Sequence, residues 1–252
     1  LLIIVSTCVQ IVPIMLVTLV KLVLPLRRLK RACNPLLTGF AESWIAVNSW
    51  MWDACTRTRL TVTGDQNLQR DGHYLVLANH QSWVDILVLQ KAFNRRIPFL
   101  RFFLKRQLFW VPLLGLAWWA LDFPFMGRYT PRQIARNPAL AGRDVAATRR
   151  ACEKFRAIPV AIMNFVEGTR FTATKHAAQK SHYRHLLKPK SGGVAFVLNA
   201  MGDGLHAILD VSIAYPAGAP TMADLLTDRI PEVRVRVRQR PIPPEMAQGD
   251  YQ

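Results

Sequence analysis

Residues 1–20 read LLIIVSTCVQIVPIMLVTLV and contain no charged side chain. About 20 helical residues span roughly 30 Å, the hydrocarbon thickness of a bilayer. Lys21 and a short LVLPL run follow, then RRLKR at 27–31. A basic cluster just after an apolar helix belongs on the cytoplasmic side of a membrane. A secretory signal peptide would place its basic residues in front and end in a small-residue cleavage site, which fits this stretch poorly. The plainer alternative is a buried helix of a soluble protein. Pro13 and Pro25 also leave room for a kinked or re-entrant helix pair. A second segment, LLTGFAESWIAVNSWMWDAC at 36–55, carries Trp44, Trp50 and Trp52. It reads equally as a helix at the headgroup layer, which tryptophan favours, or as an amphipathic helix packed on the next domain.

From Arg59 onward the periodicity changes. LTVTGD (60–65) alternates and ends in a turn, and HYLVLAN (73–79) reads as a buried strand. VDILVLQKAF predicts a helix, IPFLRFFLK a strand, and GRDVAATRRACEKFRA (142–157) a helix. IPVAIMNFVEG (158–168) predicts a strand ending in Gly. KSGGVAFVLNAM predicts a helix opened by Ser191, and LHAILDVSIAYP another buried strand. VRVRVRQR (233–240) alternates strictly, giving a strand with one apolar and one basic face. Strands alternating with helices predict an α/β fold, a largely parallel sheet covered by helices. An N-terminal membrane-associated helical segment over 1–58 is then followed by an α/β domain over 59–252. The stretch around 109–125, LFWVPLLGLAWWALDFPFM, holds three Trp and three Phe with one acid, which a soluble core could absorb and which a greasy groove or membrane-facing surface for an acyl chain would show as well.

Composition narrows the partners. Half the residues are apolar, so a packed core is expected and disorder is not. The net charge of +17 calls for an anionic partner, a membrane face or a nucleic acid. Cys8, Cys33, Cys55 and Cys152 show no metal-ligand spacing, which predicts free thiols in a reducing compartment and no metal. The chain does not begin with Met, so residues upstream are expected.

Candidate chemistry starts at NHQSWVD, where a strand hands over to a helix. On one continuous helix, His80 and Asp85 would lie about 140° apart and share no face. With His80 in the loop and Asp85 in the first helical turn, the carboxylate can take the Nδ1 proton and leave Nε2 as a base. Ser82 is then the natural N-cap. A capping box, in which Asp85 only ties down the helix start, fits the same letters. FVEGTRF at 165–171 adds a flexible Gly168, the Thr169 hydroxyl, and an Arg170 fork suited to phosphate that Glu167 would orient. FPFMGR ends in Arg128, and LLKPKSGG puts Lys188 and Lys190 before a helix start. No GxSxG or P-loop competes with these.

Taken together, the blocks resemble the glycerolipid acyltransferase family, most specifically the 1-acyl-glycerol-3-phosphate (lysophosphatidic acid) acyltransferases. Asn79, His80 and Asp85 match that family's NHxxxxD block, and Arg128 falls on its phosphate-binding arginine. Glu167, Gly168, Thr169 and Arg170 match its third block, and VSIAYP, ending at Pro216, loosely matches its fourth. Phe171 departs from the Ser of many members. VEGTRFT with LLKPKSGG looks closer to the lysocardiolipin and lysophosphatidylinositol acyltransferase branch.

The resemblance implies acyl transfer from acyl-CoA or acyl carrier protein to the free hydroxyl of a lysophospholipid. His80 and Asp85 would be catalytic. Arg128, Glu167, Gly168, Thr169, Arg170 and Lys190 would bind the substrate phosphate. No cofactor, no nucleic acid and no obligate protein partner is expected. The site is expected on the cytoplasmic face of the cell inner membrane or another membrane. Glycerol-3-phosphate is an alternative acceptor. A membrane-tethered nucleic-acid binder using VRVRVRQR, or a lipid-binding protein without catalysis, are readings from other classes.

Overall fold

Periodicity written into the chain becomes two long helices followed by alternating strands and helices. The computed structural model describes residues 2–24, 26–127, 129, 131–140, 142–156 and 158–243. The helices are α1 (Leu2–Val23) and α2 (Arg27–Cys55). Then come β1 (Arg59–Thr63), β2 (His73–Ala78), α3 (Val84–Phe93), β3 (Leu100–Phe102), β4 (Leu104–Lys105), α4 (Leu114–Ala120) and β5 (Phe125–Met126). They continue with α5 (Pro131–Arg136), α6 (Arg143–Phe155), β6 (Val160–Phe165) and α7 (Ala173–Gln179). The last are α8 (Gly192–Met201), β7 (Ala207–Ala214), α9 (Met222–Leu226) and β8 (Glu232–Arg240).

Six strands form one sheet in the order β1-β8-β7-β2-β6-β3. At its centre β2 runs parallel to both neighbours, Leu75 lying opposite Ile162 and Ile208, and Ala78 opposite Phe165 and Val211. Tyr74, Leu75 and Val76 are fully buried, as expected of a strand covered on both faces. β8 and β1 run the other way: β8 is antiparallel to β7 and parallel to β1. Its alternation resolves as read: Val233, Val235 and Val237 are buried, while Arg234, Arg236 and Arg238 face out. The fold is therefore α/β with a mostly parallel sheet.

Several elements differ from the sequence expectation. IPFLRFFLK breaks in two, because β4 leaves the main sheet and pairs with β5 in a separate two-stranded sheet. α2 begins at Arg27 and carries Pro35 inside it, so the helix holding 36–55 is longer than the tryptophan pattern suggests. Its stripe Cys33, Leu37, Ala41 and Ile45 is buried, while Trp50 is exposed. α7 was not expected; Thr172 caps it by accepting the Lys175 amide at 3.2 Å.

The chain divides into two compact units, residues 1–51 with 102–154, and residues 52–101 with 155–252. In the first, α1 packs on α4. Lys21 and Lys154 reach Asp122 at 3.3 and 3.0 Å. Burial works against the Asp122 charge, yet the two ammonium groups hold its carboxyl below the usual carboxylate range. α1 is long and apolar enough to cross a bilayer, and most of it is not buried. Val5, Val9, Val12, Leu16, Leu19 and Val23 are exposed, a contiguous apolar face that fits association with a membrane. In the 109–125 stretch Trp110 and Trp119 are exposed too, while Ala117, Leu121 and Phe123 are buried. Pro25 lies outside the described residues.

Candidate active site

The second unit brings three parallel strand ends together. β7, β2 and β6 are neighbours, so the residues just past their C-terminal ends meet at one edge of the sheet. In open α/β sheets that edge is where ligands bind. Past β2 come Asn79 and His80, past β6 comes Glu167, and past β7 comes Tyr215.

Asn79 extends the sheet with its side chain. Its Nδ2 donates to the Ile213 carbonyl at 2.9 Å, and its Oδ1 accepts the Ile213 amide at 2.7 Å. An asparagine thus supplies one more rung of ladder after the backbone has turned away. The Gln81 side chain donates to the same carbonyl at 2.9 Å. The turn that follows aims the His80 ring back toward α3. Its Nδ1 lies 2.9 Å from Asp85 Oδ2. The same oxygen accepts the amides of Gln81 at 2.6 Å and Ser82 at 2.9 Å. One carboxylate thus both holds the His80 ring and ties down the chain at the helix start. Ser82 is not the N-cap, contrary to expectation; Trp83 stands there. The Ser82 hydroxyl instead accepts the Val84 amide at 3.1 Å and donates to the Pro220 carbonyl at 2.5 Å.

Asp85 is fully buried, whereas the His80 side chain keeps 14% of its surface open. A carboxylate only accepts, so Nδ1 carries a ring hydrogen, and in the neutral ring Nε2 holds the free lone pair. Phe165 stacks on the imidazole, centroids 3.9 Å apart and planes 13° apart, which fixes the ring from the side. The other Asp85 oxygen, Oδ1, accepts from the Tyr215 hydroxyl at 2.5 Å. Burial first, then the Asp85 charge, pushes the Tyr215 phenol far above its ordinary value, so it remains a donor.

Glu167 is buried, and its two oxygens accept backbone amides: His80 at 2.8 Å and Leu187 at 2.8 Å. The pairing with Arg170 expected from sequence is not its contact; burial leaves the carboxylate facing main-chain N–H groups. It ties the His80 backbone to the returning chain at Leu187. Gly168 turns with φ +67°, and a side chain there would press on Lys190, whose aliphatic stem passes 3.0 Å from the place of a Cβ. Thr169 accepts from Lys175 Nζ at 2.9 Å. Arg170 is exposed, its guanidinium 4.9 Å over the Trp83 ring. His80, Asp85, Glu167, Gly168, Thr169, Arg170 and Lys190 all belong to this unit. Arg128 lies outside the described residues, and Pro216 is an exposed residue beside Tyr215. Sequence reasoning missed Tyr215, Phe165, Trp83 and Lys175 as parts of the site. Among the described residues no group of three His, Cys, Asp or Glu is placed to hold a metal.

Residues 59–215 match the family model described as Acyltransferase, which covers more than half of the chain. The chain belongs to the acyltransferase family. It is 25% identical over 228 residues to a protein named probable 1-acyl-sn-glycerol-3-phosphate acyltransferase 5 of Arabidopsis thaliana, covering 84% of this chain and 56% of that one. It is 27% identical over 218 residues to lysocardiolipin acyltransferase 1 of Mus musculus, covering 79% and 54%. The chain thus spans about half the length of the curated relatives it matches. The crystal structure of the 1-acyl-sn-glycerophosphate (LPA) acyltransferase PlsC from Thermotoga maritima shares its fold. The TM-score is 0.50 at 18% identity, over 88% of this chain and 75% of that one.

Proposed function

We propose that the protein transfers a fatty acyl group from the thioester of acyl-CoA or acyl carrier protein to the free hydroxyl of a lysophospholipid. The acceptor we favour is 1-acyl-sn-glycerol-3-phosphate, which gives phosphatidic acid. The observation that carries this reading is the His80–Asp85 pair, with Nδ1 committed at 2.9 Å and the ring partly open. His80 Nε2 takes the acceptor's hydroxyl proton as that oxygen attacks the thioester carbonyl. The imidazolium is stabilised by Asp85, itself held by Tyr215. The C–S bond then breaks, and the leaving thiolate takes the proton back from Nε2. No acyl-enzyme is needed, because the thioester is already activated, and no cofactor enters. Base catalysis of this kind contributes roughly 10² to 10⁴ in rate.

Arg170 and Lys190 hold the acceptor's phosphate, with Gly168 and Thr169 shaping the turn beside them, and Arg128 is assigned to the same phosphate from the family motif alone. Glu167 acts as a positioning residue through the His80 amide. Residues 1–58 form the membrane-binding segment and 59–252 the acyltransferase domain, working on the cytoplasmic face of the cell inner membrane or another membrane. The similarity to lysocardiolipin acyltransferase 1 favours a second reading, in which a larger lysophospholipid is the acceptor. The test is thiol release from acyl-CoA against a panel of lysolipids. A signal confined to one headgroup identifies the acceptor. His80→Ala is expected to lower turnover at least about 10²-fold while the chain still folds and sediments with membranes. Near-normal turnover in that variant refutes the role of the imidazole.

A further inference from the structure

Between Arg170 and Lys190 the chain leaves the sheet edge and returns to it. This excursion carries Arg170, Lys175, Lys180, Arg184, Lys188 and Lys190, three histidines, and not one Asp or Glu. It is a built segment. The Phe171 amide donates to the His80 carbonyl at 2.7 Å on the way out. Leu187 is held by Glu167, and the Lys190 amide donates to the Val166 carbonyl at 2.7 Å on the way back. At the far end, His176 Nε2 donates to the Tyr183 carbonyl at 2.7 Å, and the Ser181 hydroxyl to the Leu186 carbonyl at 2.8 Å. The Lys188 amide donates to Gln179 Oε1 at 3.1 Å, which docks the returning segment on the end of α7.

The cations fall into two tiers. Arg170, Lys175 and Lys190 flank the Gly168–Thr169 turn beside His80. The far tier is Lys180, which ends α7, a seven-residue helix about 10 Å long, Arg184 in the loop that follows, and Lys188 on the returning segment, its amide on the Gln179 side chain. All three are exposed, and among the described residues none of them lies in an ion pair. A lysophospholipid carries its phosphate a few bonds from the attacked hydroxyl, so it draws on the near tier alone. Acyl-CoA has the opposite layout, with its thioester at one end of the pantetheine arm and its phosphates at the other.

We propose that the far tier, Lys180, Arg184 and Lys188, is the docking surface for the nucleotide phosphates of coenzyme A. This rests on the acyl-transfer reading above and names the donor of that site. A merely solvated basic loop is the competing account, and it makes no distinction between donors.

The test uses the full chain in detergent and the triple variant Lys180→Gln, Arg184→Gln, Lys188→Gln. None of these side chains supports the loop's internal bonds. Coenzyme A binding, followed by calorimetry, is expected to weaken about tenfold, in line with three exposed charge contacts. The KM for acyl-CoA should rise by a similar factor, and the effect should shrink at high salt. The KM for S-acylpantetheine, which has the thioester without the nucleotide, should not change, nor should the KM for the lysolipid. Unaltered coenzyme A affinity overturns the proposal, as does no binding by the unmodified chain. An equal KM rise for both donors also overturns it. So does a loss confined to the lysolipid or to sedimentation with anionic vesicles, which assigns the tier to lipid headgroups. If coenzyme A binds through these residues yet no thioester is consumed, the acyl-transfer reading fails and the docking surface stands.

Discussion

Asp85 accepts four hydrogen bonds, three on Oδ2 and one on Oδ1, and has no exposed surface. The three come from residues 80 to 82, within five positions of it, so local chain geometry delivers them. The fourth comes from Tyr215, 130 residues away. That contrast explains what the sequence could reveal. A histidine five before an aspartate at a strand-to-helix turn is a short-range pattern, and it can be read without a fold. Tyr215 becomes a partner only because β7 lies parallel beside β2, which no local spacing announces. Tyr215→Phe removes one oxygen and leaves the buried Oδ1 without that donor, at a cost of about 1–3 kcal/mol. We expect kcat to fall roughly tenfold to a hundredfold, with KM for both substrates and the fold little changed. Unchanged kcat would show that the three local donors orient the carboxylate by themselves. The raised phenol value also has a sign. The bond is complete below the ordinary tyrosine value of 10.0 and weakens only as alkali reaches the higher folded value. Tyr215 should therefore contribute no titration to the activity profile between pH 5 and about 9.

At the scale of elements, strands with a strong two-residue period or a fully apolar run came through intact: β2, β6, β7 and β8. Where the period was weak, neighbours decided. IPFLRFFLK is apolar enough for one strand, but Leu104 pairs with Phe125, and the run splits between two sheets. α7, with the sequence ATKHAAQ, shows no apolar stripe to predict a helix. It forms because Thr172 caps it and Lys180 ends it in the left-handed region at φ 47°. The turn after β1 depends on one residue. Gly64 sits at φ +80°, and a Cβ there would run into the carbonyl oxygen of Val237 on β8. Gly64→Ala should cost about 1–3 kcal/mol in backbone strain alone, with the clash added to it. For a chain of this length the midpoint in a thermal melt should drop by several degrees. A melt indistinguishable from that of the unmodified chain would mean the β1–β8 edge yields easily.

For the molecule as a whole, two properties read from the sequence act together: the apolar N-terminal run and the charge of +17. On the proposed function, the apolar run adheres to lipid and the charge draws in anionic substrates and headgroups. α1 separates these terms experimentally because its faces are distinct. Ile11 and Ile14 are buried within the protein, while Val9, Val12 and Leu16 are at least half exposed. Carboxylates on the exposed face leave the packed face intact. Each such charge, if moved to the middle of a bilayer, costs about 2.5–3.5 kcal/mol on insertion scales. The combined variant Val9→Asp, Val12→Asp, Leu16→Asp should therefore move from the membrane pellet to the soluble fraction at physiological salt. Its melting midpoint and its turnover of a detergent-dispersed lysolipid should stay near those of the unmodified chain. Ile11→Asp provides the contrast, since it buries a charge inside the protein and should lower the midpoint. Should the triple variant remain in the pellet and come off only in high salt, lipid adhesion is electrostatic, and the exposed face of α1 is not what holds the protein to the membrane.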